Sequence, residues 1–123
     1  MAEIEEGTRN NQGMTINVAI NYGGREEITH AARTLARKAA QGLLNPDEIN
    51  EEMLASELYT AGQKDPDFIL RPSGEKRLSN FLPWQSAYAE FIYMDVLWPD
   101  FTRKHLDAAI EEFCRRDRRF GGI

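Results

Sequence analysis

Apolar positions along this chain change period several times, and each change marks an element. In residues 14–22, Ile16, Val18 and Ile20 alternate with Asn17, Ala19 and Asn21, the period-two pattern of a strand. After Gly23 the spacing lengthens: Ile28, Ala31, Ala32, Leu35, Ala36 and Ala39 share a helical face that should stop at Gly42. Residues 45–48, reading NPDE, offer an N-cap, a proline at the first helical position and a glutamate suited to a capping box. The helix they start should carry Met53, Leu54 and Leu58, with Asn50 as an alternative start. Residues 67–71 are apolar without alternation, as in a strand covered on both faces. A short helix over 84–89, an aromatic strand over 91–94, a Trp-Pro-Asp loop and a helix from about Thr102 with Leu106, Ala109, Ile110 and Phe113 on one face complete the order.

Strands separated by helices predict an α/β fold, a mostly parallel sheet with flanking helices. With 123 residues and no linker or repeat, the chain fits one domain. Open parallel sheets bind ligands beyond the carboxyl ends of their strands, and RPSGEKRLSNF, residues 71–81, follows such an end. Arg71 closes the strand, Ser73 and Gly74 allow a turn, and Lys76 and Arg77 return toward the crevice, while Ser79 or Asn80 can cap the next helix. Two guanidinium groups and a hydroxyl together suit a diphosphate, although each arginine taken singly favours an ordinary surface ion pair with Asp65, Asp67 or Glu75. Glu90, between an apolar segment and an aromatic strand, needs a cationic partner, either Mg²⁺ shared with substrate phosphates or a nearby arginine.

Charge and composition narrow the function classes. A net charge of -5 argues against a nucleic-acid coat protein. The lone Cys114 supports neither a disulfide nor a cysteine metal cluster, and is expected half-buried on its helix. An acidic N-terminus and the absence of any long apolar run predict a cytoplasmic protein. His30 and His105 show no ligand spacing and are assigned to helix surfaces. The aromatic residues Phe91, Tyr93 and Trp98 fit a core, a dimer contact or a tunnel lining. The sequence WPD at 98–100 has a counterpart in the acid loop of tyrosine phosphatases, but Phe120 stands six residues after Cys114, where that chemistry requires arginine.

The segments NVAINYGGREEI, DFILRPSGEKRLSNFLPWQSAYAEFIYMDVLWPDF and RRDRRFGG together resemble the C-terminal half of the cis-prenyltransferases, the undecaprenyl diphosphate synthase family. The resemblance implies that residues 1–123 are the C-terminal part of a single catalytic domain. It implies a homodimeric enzyme condensing isopentenyl diphosphate onto an allylic diphosphate such as farnesyl diphosphate, with transient contact to a membrane surface. By the same resemblance Arg71, Arg77 and Ser79 hold the diphosphate of isopentenyl diphosphate and Glu90 binds Mg²⁺. Arg118, Arg119, Gly121 and Gly122 then belong to a terminal motif at the dimer interface.

The family's N-terminal strands, its Asp-Gly-Asn-Gly-Arg loop and its tunnel helices have no counterpart in these residues, so Met1 is expected to be a cut or false start and the chain inactive alone. Pro72, Lys76 and Pro83 depart from the usual motif, which puts its fine geometry in question. The alternatives are a non-catalytic partner subunit or interaction fragment of such an enzyme, and a plain phosphate-binding α/β module.

Overall fold

The computed structural model describes residues 2–116, and it places two short strands at the centre of an α/β arrangement. Strand β1, Phe68–Arg71, pairs in parallel with β2, Glu90–Tyr93, so that Phe68 faces Glu90 and Arg71 faces Tyr93. The helices are α1 (Ala2–Thr8), α2 (Gly24–Ala40), α3 (Glu51–Ala55) and α4 (Arg103–Cys114), with 3₁₀ turns at Pro46–Glu48 and Trp98–Asp100. The strand pair is covered by α4, whose Phe113 ring lies 5.2 Å from that of Phe68.

Local chemistry explains where the helices start and stop. Gly42 has φ +70, and the amides of Gly42 and Leu43 bond back to Ala39 and Lys38, which ends α2 in the manner open to glycine. Asn45 Oδ1 accepts from the Asp47 N–H, but only a 3₁₀ turn follows. The helix restarts at Asn50, whose side chain accepts from the Met53 N–H, and it ends at Ala55 before reaching Leu58. Thr102 and His105 form a reciprocal capping box on α4, His105 Nδ1 accepting from the Thr102 N–H at 3.0 Å. His105 is therefore a helix cap, whereas His30 is exposed as expected, its ring 5.9 Å from Tyr59.

Three expectations change. Residues 14–22 form no strand: Met14, Ile16, Val18 and Ile20 are exposed, and the segment is tied to the body by side chains, Asn17 to Gln63 at 2.6 Å and Tyr22 to Glu27, Tyr59 and Phe81. Alternation marks a segment for pairing, but a ladder needs a neighbour, and among the described residues β1 and β2 pair with each other alone. Residues 84–89 turn without becoming a helix, the Ala87 and Ala89 amides bonding three residues back to Trp84 and Ser86. Cys114 is exposed, as are Leu106 and Ile110 on the same helix, whose buried face narrows to Ala109.

The fully buried apolar side chains Leu35, Leu58 and Ile92 each contribute about 1.5–3 kcal/mol. They are few, and the chain exposes 9956 Å², well above the ~6,700 Å² expected of a folded monomer of its mass. Because Ile16 is already exposed, Ile16→Asn should change the unfolding free energy by less than about 0.5 kcal/mol in a urea titration. A larger loss would mean that the segment packs. Among the described residues no helix is long and apolar enough to cross a membrane.

Candidate functional site

At the carboxyl end of β1 the chain turns through Pro72, Ser73 and Gly74, and this turn is fastened to the segment leaving β2. The Ser73 N–H donates to the Val96 carbonyl at 2.8 Å and the Gly74 N–H to Met94 at 2.9 Å. Both residues take positive φ, 78° and 69°. A Cβ at position 74 would also lie 3.1 Å from Asp95 Oδ1, so glycine is needed there.

Arg71 then organises the corner. Its Nη1 donates to the backbone carbonyl of Arg77 and, at 3.0 Å, to Ser79 Oγ. Arg71, Arg77 and Ser79 line an open cavity of about 370 Å³ together with Phe91, Tyr93 and Trp98. The rings of Phe91 and Tyr93 stack at 6.2 Å beside it. The three residues singled out in the motif are thus neighbours in space. Arg77 reaches the corner through its backbone, while its guanidinium is largely exposed and ion-paired with Glu75. An anion entering here meets Arg71 directly and competes with Glu75 for Arg77. Lys76 is exposed and is not among the residues lining the cavity.

Asn80 does not cap a following helix. Its Oδ1 accepts from the Arg25 N–H at 2.9 Å and its carbonyl from the Gly24 N–H at 2.8 Å, so it closes the N-terminus of α2. Ser79, Asn80 and Leu82 have φ of 51°, 62° and 50°, strained values for residues with side chains, costing about 1–3 kcal/mol each. Such a run persists only where its neighbours hold it, and α2 is one of those neighbours. Asn80→Ala should therefore lower stability by about 1 kcal/mol, while Asn80→Asp, which keeps the acceptor, should lose less in the same urea titration. Equal losses for the two would mean that the cap carries no weight.

Glu90 lies elsewhere. The register puts it opposite Phe68, at the amino end of the strand pair and about 10 Å of strand away from Arg71. Its Oε2 accepts from Arg116 Nη1 at 2.8 Å, and that guanidinium also donates to the Phe91 carbonyl and pairs with Glu112. The hydrogen bond to Glu90, followed by that to Glu112, raises the Arg116 pKa above its ordinary value. Among the described residues no three His, Cys, Asp or Glu side chains come together. These residues alone do not fit a metal centre: a divalent cation at Glu90 would have to displace Arg116 and draw its remaining ligands from phosphate and water. Arg118, Arg119, Gly121 and Gly122 lie outside the described residues.

The sequence reading missed a polar cluster behind the loop. Glu27, on α2, is fully buried; its carboxylate accepts from the Tyr22 hydroxyl at 2.5 Å, the Tyr59 N–H at 2.7 Å and Gln85 Nε2 at 3.2 and 3.3 Å. Burial and the Glu27 carboxylate push the Tyr22 hydroxyl well above its ordinary pKa. The available signal was spacing. Gly24, Glu27, Ala31 and Leu35 form the buried stripe of α2, and an acid on that stripe required partners.

Comparison with known proteins shows the family of the chain. The family model described as "Putative undecaprenyl diphosphate synthase" matches residues 1–121. The isoprenyl transferase of Heliobacterium mobile is 55% identical over 116 residues, covering 94% of this chain and 45% of that protein. That of Rhizobium meliloti (strain 1021) is 52% identical over 123 residues, 100% of this chain and 50% of that protein. Among solved structures, lavandulyl diphosphate synthase from Lavandula x intermedia, in complex with dimethylallyl diphosphate, superposes with a TM-score of 0.94 at 40% identity. The match covers 98% of this chain and 52% of that one. A probable undecaprenyl diphosphate synthase from Campylobacter jejuni gives 0.78 at 38% identity, covering 98% and 53%. The chain spans about half the length of the curated relatives it matches. With its parallel strand pair and the motif around Arg71, this chain belongs to the undecaprenyl diphosphate synthase family of cis-prenyltransferases.

Proposed function

We propose that this chain is the isopentenyl diphosphate-holding, C-terminal part of a cis-prenyltransferase domain, residues 1–123. The observation that carries the reading is the Arg71 guanidinium bonded to Ser79 Oγ at the carboxyl end of β1, on the wall of an open cavity. A guanidinium held in place by its neighbours presents parallel donors to phosphate oxygens with little reorganisation when the ligand arrives. Arg77, freed from Glu75, supplies the second cation. The aromatic wall of Phe91, Tyr93 and Trp98 suits the isoprenoid end of the same molecule. That a solved relative binds dimethylallyl diphosphate supports an allylic diphosphate, such as farnesyl diphosphate, as the second substrate.

In the reaction, this chain's residues bind and orient. Arg71 and Ser79 fix the diphosphate so that the isopentenyl double bond faces the allylic carbon. Holding two reactants in register in this way can remove a large share of a bimolecular barrier. Cationic donors also stabilise negative charge building on a leaving diphosphate. Glu90 would hold a divalent cation such as Mg²⁺, which would neutralise diphosphate charge, only if Arg116 gave up the carboxylate. Homodimerisation is part of the proposal, supported by the exposed apolar residues Leu106 and Ile110 on α4.

The test separates binding from turnover. The 123-residue chain, which spans about half the length of its curated relatives, should bind isopentenyl diphosphate when given isopentenyl and farnesyl diphosphates with Mg²⁺, yet release no polyprenyl diphosphate. Product from the chain alone would overturn that part of the reading. Absence of isopentenyl diphosphate binding would favour the second reading, a non-catalytic partner, for which the exposed strand-like segment at Ile16, Val18 and Ile20 is the supporting observation.

A further inference from the structure

We infer that Glu27 is a positioning residue for the Arg71–Ser79 corner, acting through Gln85 and the first turn of α2. The inference rests on reading that corner as the diphosphate site, and it explains a group that nothing else in the molecule uses.

A fully buried carboxylate is rare without a compensating cation, and the partners of Glu27 are all hydrogen-bond donors: the Tyr22 hydroxyl, the Tyr59 N–H and the Gln85 amide. Gln85 is itself 2% exposed, and its Nε2 also donates to Thr60 Oγ1 at 3.0 Å. Its Oε1 is buried with no hydrogen-bond partner. The amide thus commits its donor side to Glu27 and leaves its acceptor side bare, because rotating it would turn a carbonyl oxygen onto a carboxylate. Glu27 sets the orientation of Gln85, and not the reverse.

Residues 79–85 are then gripped by α2 at both ends. Asn80 is held by the N–H groups of Gly24 and Arg25, and Gln85 is held by Glu27 one turn further along the helix. Pro83 packs on Gly24 between the two grips. Asn80 and Leu82, both with positive φ, lie inside this clamp, and Ser79, also with positive φ, adjoins its Asn80 end and is the residue that meets Arg71. Loosening the Gln85 end lets the strained run relax toward ordinary φ, and the hydroxyl leaves the guanidinium.

The experiment uses the full chain and two variants, Glu27→Gln and the exchanged pair Glu27→Gln/Gln85→Glu. Glu27→Gln places an amide N–H₂ against the Gln85 Nε2, while the exchange restores one donor facing one acceptor. At a temperature where all three are folded by circular dichroism, Glu27→Gln is expected to weaken isopentenyl diphosphate binding about tenfold. It should also accelerate hydrogen exchange at the Gly24 and Arg25 amides, and the exchanged pair should recover most of both effects. Unchanged affinity and unchanged Gly24 and Arg25 exchange would overturn the inference, as would an exchanged pair that regains thermal stability without regaining affinity. If the wild-type chain binds no isopentenyl diphosphate, the functional reading falls, and the exchange measurement alone still decides whether Glu27 holds the loop.

Discussion

Replacing Arg71 with alanine is expected to weaken isopentenyl diphosphate binding about 100-fold, the loss for removing charge-assisted hydrogen bonds to a doubly anionic group. Arg71 is favoured over Arg77 for the larger effect because it is fixed in advance. Its Nη1 is tied to the Arg77 carbonyl and to Ser79 Oγ, whereas the Arg77 guanidinium must first leave Glu75. Arg77→Ala should therefore cost less, about tenfold, and Arg71→Lys should recover little, since a point charge lacks the planar fork. Titration calorimetry measures all three. Equal losses for Arg71→Ala and Arg77→Ala would mean that prior fixation contributes nothing, and a wild-type affinity in Arg71→Ala would place the diphosphate elsewhere.

Gly24→Ala is expected to be the most damaging small substitution for stability. A Cβ at this position would overlap Cδ and Cγ of the Pro83 ring and lie 3.1 Å from the Asn80 carbonyl oxygen. Neither can swing aside: the ring is fused to the backbone, and the carbonyl accepts from the Gly24 N–H itself. Alanine would gain up to about 1 kcal/mol in helix propensity, but overpacking against fixed atoms costs more, leaving a net loss of about 2–3 kcal/mol. A thermal melt should fall by roughly 10 °C. Because the clash pushes on Asn80 and Pro83, the loop bearing Ser79 should shift as well, so diphosphate affinity should fall in the fraction that remains folded. A melt at or above the wild-type value would show that α2 does not grip the loop as tightly as the distances indicate.

The contrast between these two residues shows what the sequence carried. Arg71 was legible because a strand end, a turn and a second arginine lie within one short motif. Helices α2 and α4, the stop at Gly42, the restart at Asn50 and both strands were likewise written in local chemistry: periodicity, caps and a left-handed glycine. Gly24 and Glu27 matter through partners 56 to 59 positions away, Asn80, Pro83 and Gln85, and no local pattern announces such contacts. The strand expected over 14–22 failed for the same reason in reverse, since its alternation is real but no ladder partner stands beside it among the described residues. The distance of Glu90 from Arg71 was not legible because sequence order does not give register. Only the pairing of Phe68 with Glu90 shows that it sits at the amino end, beside Arg116.

The most direct test of the central claim is a crystal structure of the 123-residue chain with isopentenyl diphosphate bound. The account predicts the diphosphate between the Arg71 guanidinium and Ser79 Oγ, with oxygens within about 3.2 Å of both and the isopentenyl group against Phe91, Tyr93 and Trp98. A diphosphate at any other place in the molecule, with the Arg71–Ser79 hydrogen bond untouched, would contradict it.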